Sequence, residues 1–348
     1  MKSRVSAVLF AAVLAGCGGG NGANNVSSYQ TVSFGDSLSD VGTFNVQGNG
    51  MPGAKAFNGG RYTNNPGLSW ADRLALYYGK PLTPAAQGGF GMPMLPAGGM
   101  GYAQGGALVA TPLASLVTGL NPKPITAQVD TFVAEHQKFR DDQLVLLQGG
   151  ANDILYAAFS LNEGESVGPA VQQAVVTAAT QLAAQVGRLT ALGATRMVVA
   201  NVPDLSLTPV GAGDAAAAPV LRQLTQLFND TLKTAIDQQP RPRHFVLVDS
   251  SVWLRNLLGN FQAQGFRYGN TAVACSTDKI EARASALRVP DPKRFVGETG
   301  AALLCSNDTL TEEKAGDLYV FADELHPSDR TNILFAQHIE RRISEAGF

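Results

Sequence analysis

The sequence predicts an α/β domain built on a mostly parallel sheet with helices on both faces. Two observations predict it. Short runs rich in β-branched and other apolar residues, "TVSF", "QLVLLQ", "RMVVANV" and "HFVLVDS", end at glycines or polar turn residues. Between them lie stretches with apolar residues at helical spacing, long enough to carry the chain back across a sheet. The 348 residues are 45% hydrophobic and 16% charged, which suits a large buried core.

Taken in order, the first strand covers Thr31 to Phe34 and stops at Gly35, and a helical pattern follows near Pro66 to Tyr78, with Leu68, Ala71, Leu74 and Leu76 among its apolar residues. Residues 85–106, "AAQGGFGMPMLPAGGMGYAQGG", are too rich in glycine, proline and methionine for a regular element and read as a long loop. An amphipathic helix from Ile125 to Phe139, with Val129, Phe132 and Val133 in register, leads to the buried strand "QLVLLQ". Helices near Pro169 to Leu192 and Ala218 to Gln238 precede the next two strands, "RMVVANV" and "HFVLVDS". A helix near Val252 to Ala263 and a terminal helix from Ser328 to Ala346 complete the pattern. No internal repeat or linker divides it, so one domain is expected over residues 30–348. In open sheets of this kind ligands bind beyond the carboxyl ends of the strands.

The amino terminus reads as a targeting segment. Lys2 and Arg4 precede an apolar run from Val5 to Leu14. At about ten residues, that run is too short for a permanent membrane span. Leu14-Ala15-Gly16-Cys17 resembles the bacterial lipobox, which implies a signal peptide over residues 1–16, lipidation of Cys17, and a flexible tether over residues 17–29. An ordinary secretory signal with an incidental Cys17 is the plainer alternative. Residue 18 is glycine, where aspartate is associated with inner-membrane retention, so the resemblance implies a lipid anchor at the outer membrane, periplasmic or surface-facing. Disulfides persist in such a compartment, and Cys275 and Cys305 are the pair left to form one. A formal net charge of −2 supplies no basic field for nucleic acid.

Chemistry-bearing residues cluster where the sheet rule points. Ser37 lies just past the first strand in "FGDSLSDVG", where Gly35 permits a tight turn that would expose a hydroxyl. Gly-Asp-Ser alone is also an ordinary turn or cap sequence. "GGAND" places Asn152 beyond the strand "QLVLLQ", where a side-chain amide could donate to a developing oxyanion or simply cap a helix. "GYAQGGA" ends the long loop with Gly105 and Gly106, whose backbone could approach a ligand closely. In "ADELHP", Asp323 can reach back to one nitrogen of His326 and leave the other free. His136, His244 and His338 fall in settings that favour surface or structural roles.

Together these stretches resemble the SGNH, or GDSL, hydrolase family, with "FGDSLSDVG", "GYAQGGA", "GGAND" and "DELHP" as its blocks. "NGGRYTNNPGLSWADRLALYYG" and "VVANVPDLSLTP" are similar to landmarks of the subfamily that contains bacterial fatty acyltransferases, secreted lipases and autotransporter esterases. The resemblance implies a flavodoxin-like three-layer α/β/α sandwich with a central five-stranded parallel sheet. It implies Ser37 as nucleophile, His326 as base and acid, and Asp323 as its orienting partner. The oxyanion hole would be the N–H groups of Ser37 and Gly106 with the Asn152 side chain. Gly101 stands where many relatives have asparagine, which leaves the choice between Gly105 and Gly106 open. The expected function is hydrolysis of a small-molecule ester or lipid, with no metal or other cofactor. A lipid acyltransferase, a carbohydrate acetyl or feruloyl esterase, and a non-catalytic binding lipoprotein are the alternatives. Met92, Met94, Leu95 and Met100 of the long loop would line or cover an acyl-chain pocket, or belong to a packed surface loop.

Overall fold

A computed structural model describes residues 28–45, 59–113, 120–161, 165 and 167–348. The expected signal peptide and Cys17 lie outside the described residues. In chain order the elements begin with β1 (Gln30–Phe34), α1 (Trp70–Tyr77), β2 (Ala86–Gly89), β3 (Met92–Pro96) and α2 (Ile125–His136). There follow β4 (Gln143–Gln148), α3 (Ala151–Phe159), α4 (Pro169–Ala191), β5 (Arg196–Ala200), α5 (Pro209–Ala212) and α6 (Ala217–Asp237). The remainder is β6 (His244–Val248), α7 (Ser250–Gly259), α8 (Thr277–Ala286), α9 (Pro292–Thr299), α10 (Ala301–Leu304), α11 (Ala315–Leu318) and α12 (Asp329–Glu345).

Strands β1, β4, β5 and β6 lie side by side in that order, all parallel, with Val32 opposite Val145, Val145 opposite Met197 and Val198 opposite Val246. Because side chains alternate along a strand, each strand feeds two cores. Val32, Phe34, Val145, Leu147, Met197 and Val199 pack beneath α2, α3, α4 and α6. Leu144, Leu146, Val198, Ala200, Val246 and Val248 pack beneath α1 and α12. Each large apolar side chain so buried contributes about 1.5–3 kcal/mol. Burial on both faces explains why the strands read as nearly unbroken apolar runs.

This is a three-layer α/β/α sandwich, but its sheet has four strands among the described residues rather than five. On the free edge of β1, Ser33 donates to the Met100 carbonyl and accepts from the Tyr102 N–H, a single parallel bridge centred on Gly101. A longer ladder would need the Gly35 N–H to turn toward this segment. That N–H instead donates to Gln128 Oε1 at 2.9 Å, and although the Gly35 carbonyl accepts from the Gln104 N–H at 3.1 Å, no further bridge forms.

Local capping sets the helix ends. α1 starts at Trp70 rather than near Pro66 because Ser69 and Asp72 cap each other reciprocally. α2 stops at His136, before Phe139, because Gln137 adopts a positive φ of 64°. The stretch expected to be an irregular loop contains an antiparallel hairpin, β2 with β3, closed by the left-handed Phe90 and Gly91. The glycines mark the turn of a regular element there.

Residues beyond α7 add a lobe with its own small core, formed by Ile280, Ala284, Phe295, Val296, Ala302 and Leu304. Cys275 and Cys305 form a disulfide across this lobe, with their Cα atoms 5.7 Å apart. Closing a loop with a sequence separation of 30 residues stabilises by roughly 3–4 kcal/mol in the chain-entropy account. No helix among the described residues is long and apolar enough to cross a membrane.

Candidate active site

The carboxyl end of β1 delivers Ser37. Phe34 anchors the strand end in the core, stacked on Tyr102 at 5.3 Å. Gly35 follows because a Cβ there would meet the Gln148 carbonyl oxygen at 2.4 Å. Gln128 then holds the Gly35 peptide from both sides, accepting its N–H and donating to its carbonyl at 2.8 Å. Ser37 opens a 3₁₀ turn capped by Asp36, whose Oδ1 accepts from the Leu38 N–H at 3.0 Å. The Ser37 N–H has no hydrogen-bond partner among the described residues.

The loop before α12 delivers the other two groups. His326 Nε2 lies 2.8 Å from Ser37 Oγ, across 289 positions of sequence. Its Nδ1 faces Asp323 Oδ1 and Oδ2 at 2.9 and 3.0 Å. Asp323 also accepts from the backbone N–H groups of Leu325, His326 and Ala302. Burial raises the carboxyl pKa, but the His326 charge and these hydrogen bonds outweigh it and hold Asp323 at about 2. An ionised carboxylate only accepts, so a neutral imidazole carries its proton on Nδ1 and leaves Nε2 to accept from Ser37. The Tyr62 ring packs 4.9 Å from the imidazole and limits its tilt.

Two more segments converge on the same point. α3 begins after Gly150, whose φ of +105° and contact with Phe228, where a Cβ would sit 2.1 Å from the ring, exclude any side chain. The first turn of α3 grips residues 107–109, with Asn152 Nδ2 donating to the Ala107 carbonyl at 3.0 Å and Asp153 accepting from the Val109 N–H. Asp40 holds the other side of this loop: it accepts from Gly42, Thr43 and Gly105, the last at 2.9 Å. With the Gly105 N–H engaged, the Gly106 N–H is the one without a partner among the described residues, which favours Gly106 over Gly105 as an anion donor. Ser37, Gly106, Asn152 and His326 all line one cleft of about 730 Å³.

Three further acids lie around the serine, Asp36 and Asp40 fully buried and Asp153 half-buried. Desolvation pushes Asp36 up to about 7, and Asp40 and Asp153 up to about 6. Asp36 Oδ2 is buried with no partner. A raised folded-state pKa means that its stabilising contribution is complete below about pH 4 and lost as the pH rises through about 7. Between pH 5 and 8, Asp36 alone should cost the wild type roughly 2–3 kcal/mol. Asp36→Asn is expected to remove that loss in urea unfolding at the two pH values; an unchanged pH slope would contradict it.

The structure brings Ser37, Asp323, His326, Gly106 and Asn152 together and leaves His136, His244 and His338 elsewhere. It does not bring Met92, Met94, Leu95 or Met100 to the cleft: Met92 and Leu95 are exposed on the hairpin, while Met94 and Met100 pack against core residues. Sequence reasoning missed Gln128 and Tyr62. Gln128 had a readable signal, since it is a polar residue inside the apolar stripe Ile125, Val129, Phe132 of α2. Tyr62 offered none, because its packing against Gly105 and His326 arises only in the folded chain.

A serine hydroxyl, an imidazole and a carboxylate linked in sequence at the carboxyl end of a parallel sheet is an arrangement characteristic of serine-dependent acyl hydrolases. Residues 32–339 match the family model for GDSL-like lipase/acylhydrolase, and the chain belongs to that family of hydrolases acting on esters. It is similar to a GDSL esterase/lipase of Arabidopsis thaliana, with 25% identity over 343 residues covering 88% of this chain and 85% of the relative.

Proposed function

We propose that the protein is a carboxylic ester hydrolase that works through an acyl-enzyme on Ser37. The observation that carries this reading is the 2.8 Å contact of His326 Nε2 with Ser37 Oγ, with Nδ1 of the same ring held by Asp323. In the first half-reaction Ser37 Oγ bonds to the ester carbonyl carbon while its proton passes to His326. The tetrahedral oxyanion receives the N–H groups of Ser37 and Gly106 and the second amide hydrogen of Asn152. Collapse breaks the bond to the alcohol, which takes the proton from His326. Water repeats the sequence and releases the acid. Asp323 stays ionised throughout and balances the charge on the imidazolium.

The reading predicts a burst of alcohol, stoichiometric with enzyme, when deacylation of an activated ester is slow. Steady release with no acyl-enzyme under single-turnover conditions would contradict it. Asn152→Ala is expected to lower kcat about 10²- to 10³-fold with little change in KM, measured on the same ester. Unaltered kcat would remove Asn152 from the oxyanion site.

The proposal extends to location: a chain exported under its N-terminal signal and tethered through a lipidated Cys17. In support, Lys2, Arg4 and the run from Val5 to Leu14 precede a lipobox-like Leu14-Ala15-Gly16-Cys17. A Cys17→Ser chain should leave the membrane fraction after export; one that stays there would contradict the anchor.

A further inference from the structure

A small chamber of about 60 Å³ shares Leu325 with the cleft. It sits at the carboxyl end of the sheet, between α7 and α12, and is almost wholly apolar, with Leu38, Trp70, Trp253, Leu254 and Phe335 among its walls. Protein interiors are close-packed, and apolar voids that exceed a water molecule are few. Its position relates it to the chemistry. Leu38 directly follows Ser37 and Leu325 directly precedes His326. Leu325 also lines the large cleft, so its side chain is the partition between the two spaces.

An ester attacked by Ser37 has two arms, an acyl chain and an alcohol, and two cavities meet at Leu325, next to His326. We propose that the chamber receives the far end of a linear acyl chain, which passes Leu325, while the cleft holds the alcohol. This rests on Ser37 as the nucleophile. An apolar wall suits a hydrocarbon end. An apolar cavity of ~150 Å³ accommodates the six carbons of benzene. The chamber's 60 Å³ therefore holds about two or three methylenes, which makes the preferred acyl group short to medium, about four to six carbons in all.

The chain's two tryptophans, Trp70 and Trp253, both line the chamber, so the wild-type protein carries its own reporter. Reaction with p-nitrophenyl alkylphosphonates forms a bond from Ser37 Oγ to phosphorus, expels p-nitrophenolate and moves the hydroxyl proton to His326. A hexylphosphonyl adduct is expected to shift the intensity or maximum of tryptophan emission relative to the methylphosphonyl adduct. Identical emission from the two adducts, with both attached at Ser37, would overturn the chamber assignment and leave the nucleophile intact. Failure of both reagents to attach at Ser37 would overturn the nucleophile and this proposal with it, whereas attachment of the methyl reagent alone would overturn only the chamber assignment.

A second arm uses Ser250, which lines the chamber and whose buried hydroxyl has no partner, so replacing it breaks no side-chain hydrogen bond. Ser250→Leu fills the space and is expected to lower kcat/KM for a hexanoyl ester about tenfold or more relative to an acetyl ester. Acetyl turnover serves as the check that the variant is folded. An unchanged hexanoyl-to-acetyl ratio in a variant that still turns over acetyl ester would also overturn the assignment.

Discussion

Replacing Ser37 with alanine is expected to lower kcat for ester hydrolysis by about 10⁶-fold while leaving the protein folded. The size of the effect follows from the role: without Oγ no acyl-enzyme forms, and the imidazole and the oxyanion donors have nothing to activate or stabilise. What remains is the residual acceleration of about 10³- to 10⁴-fold over water that binding and the oxyanion donors supply to a directly attacking water. The fold should survive because the one side-chain hydrogen bond removed is that to His326 Nε2, in a cleft that solvent can enter. Steady-state turnover and a thermal melt of the same preparation check both halves. Full activity in the folded variant would dispose of the mechanism.

Asp323→Asn should lower kcat by about 10⁴-fold. The introduced carboxamide retains one oxygen for the backbone N–H groups of Leu325 and His326, but its NH₂ group cannot accept from the imidazole as the carboxylate does. The ring then favours the tautomer with its proton on Nε2. That nitrogen can no longer accept from Ser37, so the loss falls on kcat rather than on KM. The substitution also affects stability. Asp323 is held at about 2 in the folded protein, so its stabilising contribution is present above about pH 4 and lost as the pH falls through about 2. The variant should therefore be less stable than wild type at pH 7, with the difference disappearing in strong acid. Kinetics at pH 7 and urea unfolding at several pH values check this, and an unchanged kcat would contradict the orienting role.

The parts of this architecture that were legible in the sequence are those fixed by local physics. Leu144, Val145, Leu146 and Leu147 announce a strand because both faces of the sheet are buried, and burial on both faces leaves no polar alternation. Asp323 and His326 are readable as a pair because a turn of three residues closes their contact without help from the rest of the chain. The disulfide between Cys275 and Cys305 was readable from the scarcity of cysteine, since the expected export signal sets Cys17 apart and leaves one pair.

What escaped was set by contacts between distant segments. Asp36 and Asp40 each cap a turn, as an aspartate commonly does, but Asp40 also reaches Gly105 across 65 positions and so couples the nucleophile turn to the glycine loop. The Gly35 N–H, on the outer edge of β1, goes to Gln128, 93 positions away, and the segment through Gly101 makes a bridge there rather than a fifth strand. The hairpin at Ala86–Gly89 and Met92–Pro96 was obscured for a different reason. Its glycines and prolines are the residues that usually interrupt regular structure, and here they serve the turn and an outer edge. Within the small lobe α10 and α11 span four residues each, too short for a periodic signal. Yet that lobe sends the Ala302 N–H to Asp323 from within α10, immediately before Cys305.

As the proposed nucleophile, Ser37 should carry the acyl group during turnover. Acid quenching in the burst phase of an activated ester, followed by peptide mass mapping, tests it most directly. The peptide that contains Ser37 is expected to gain the mass of the acyl group, to lose it on further incubation, and to carry none in the Ser37→Ala protein. Turnover with no adduct on that peptide, or with the acyl group on another residue, would contradict it.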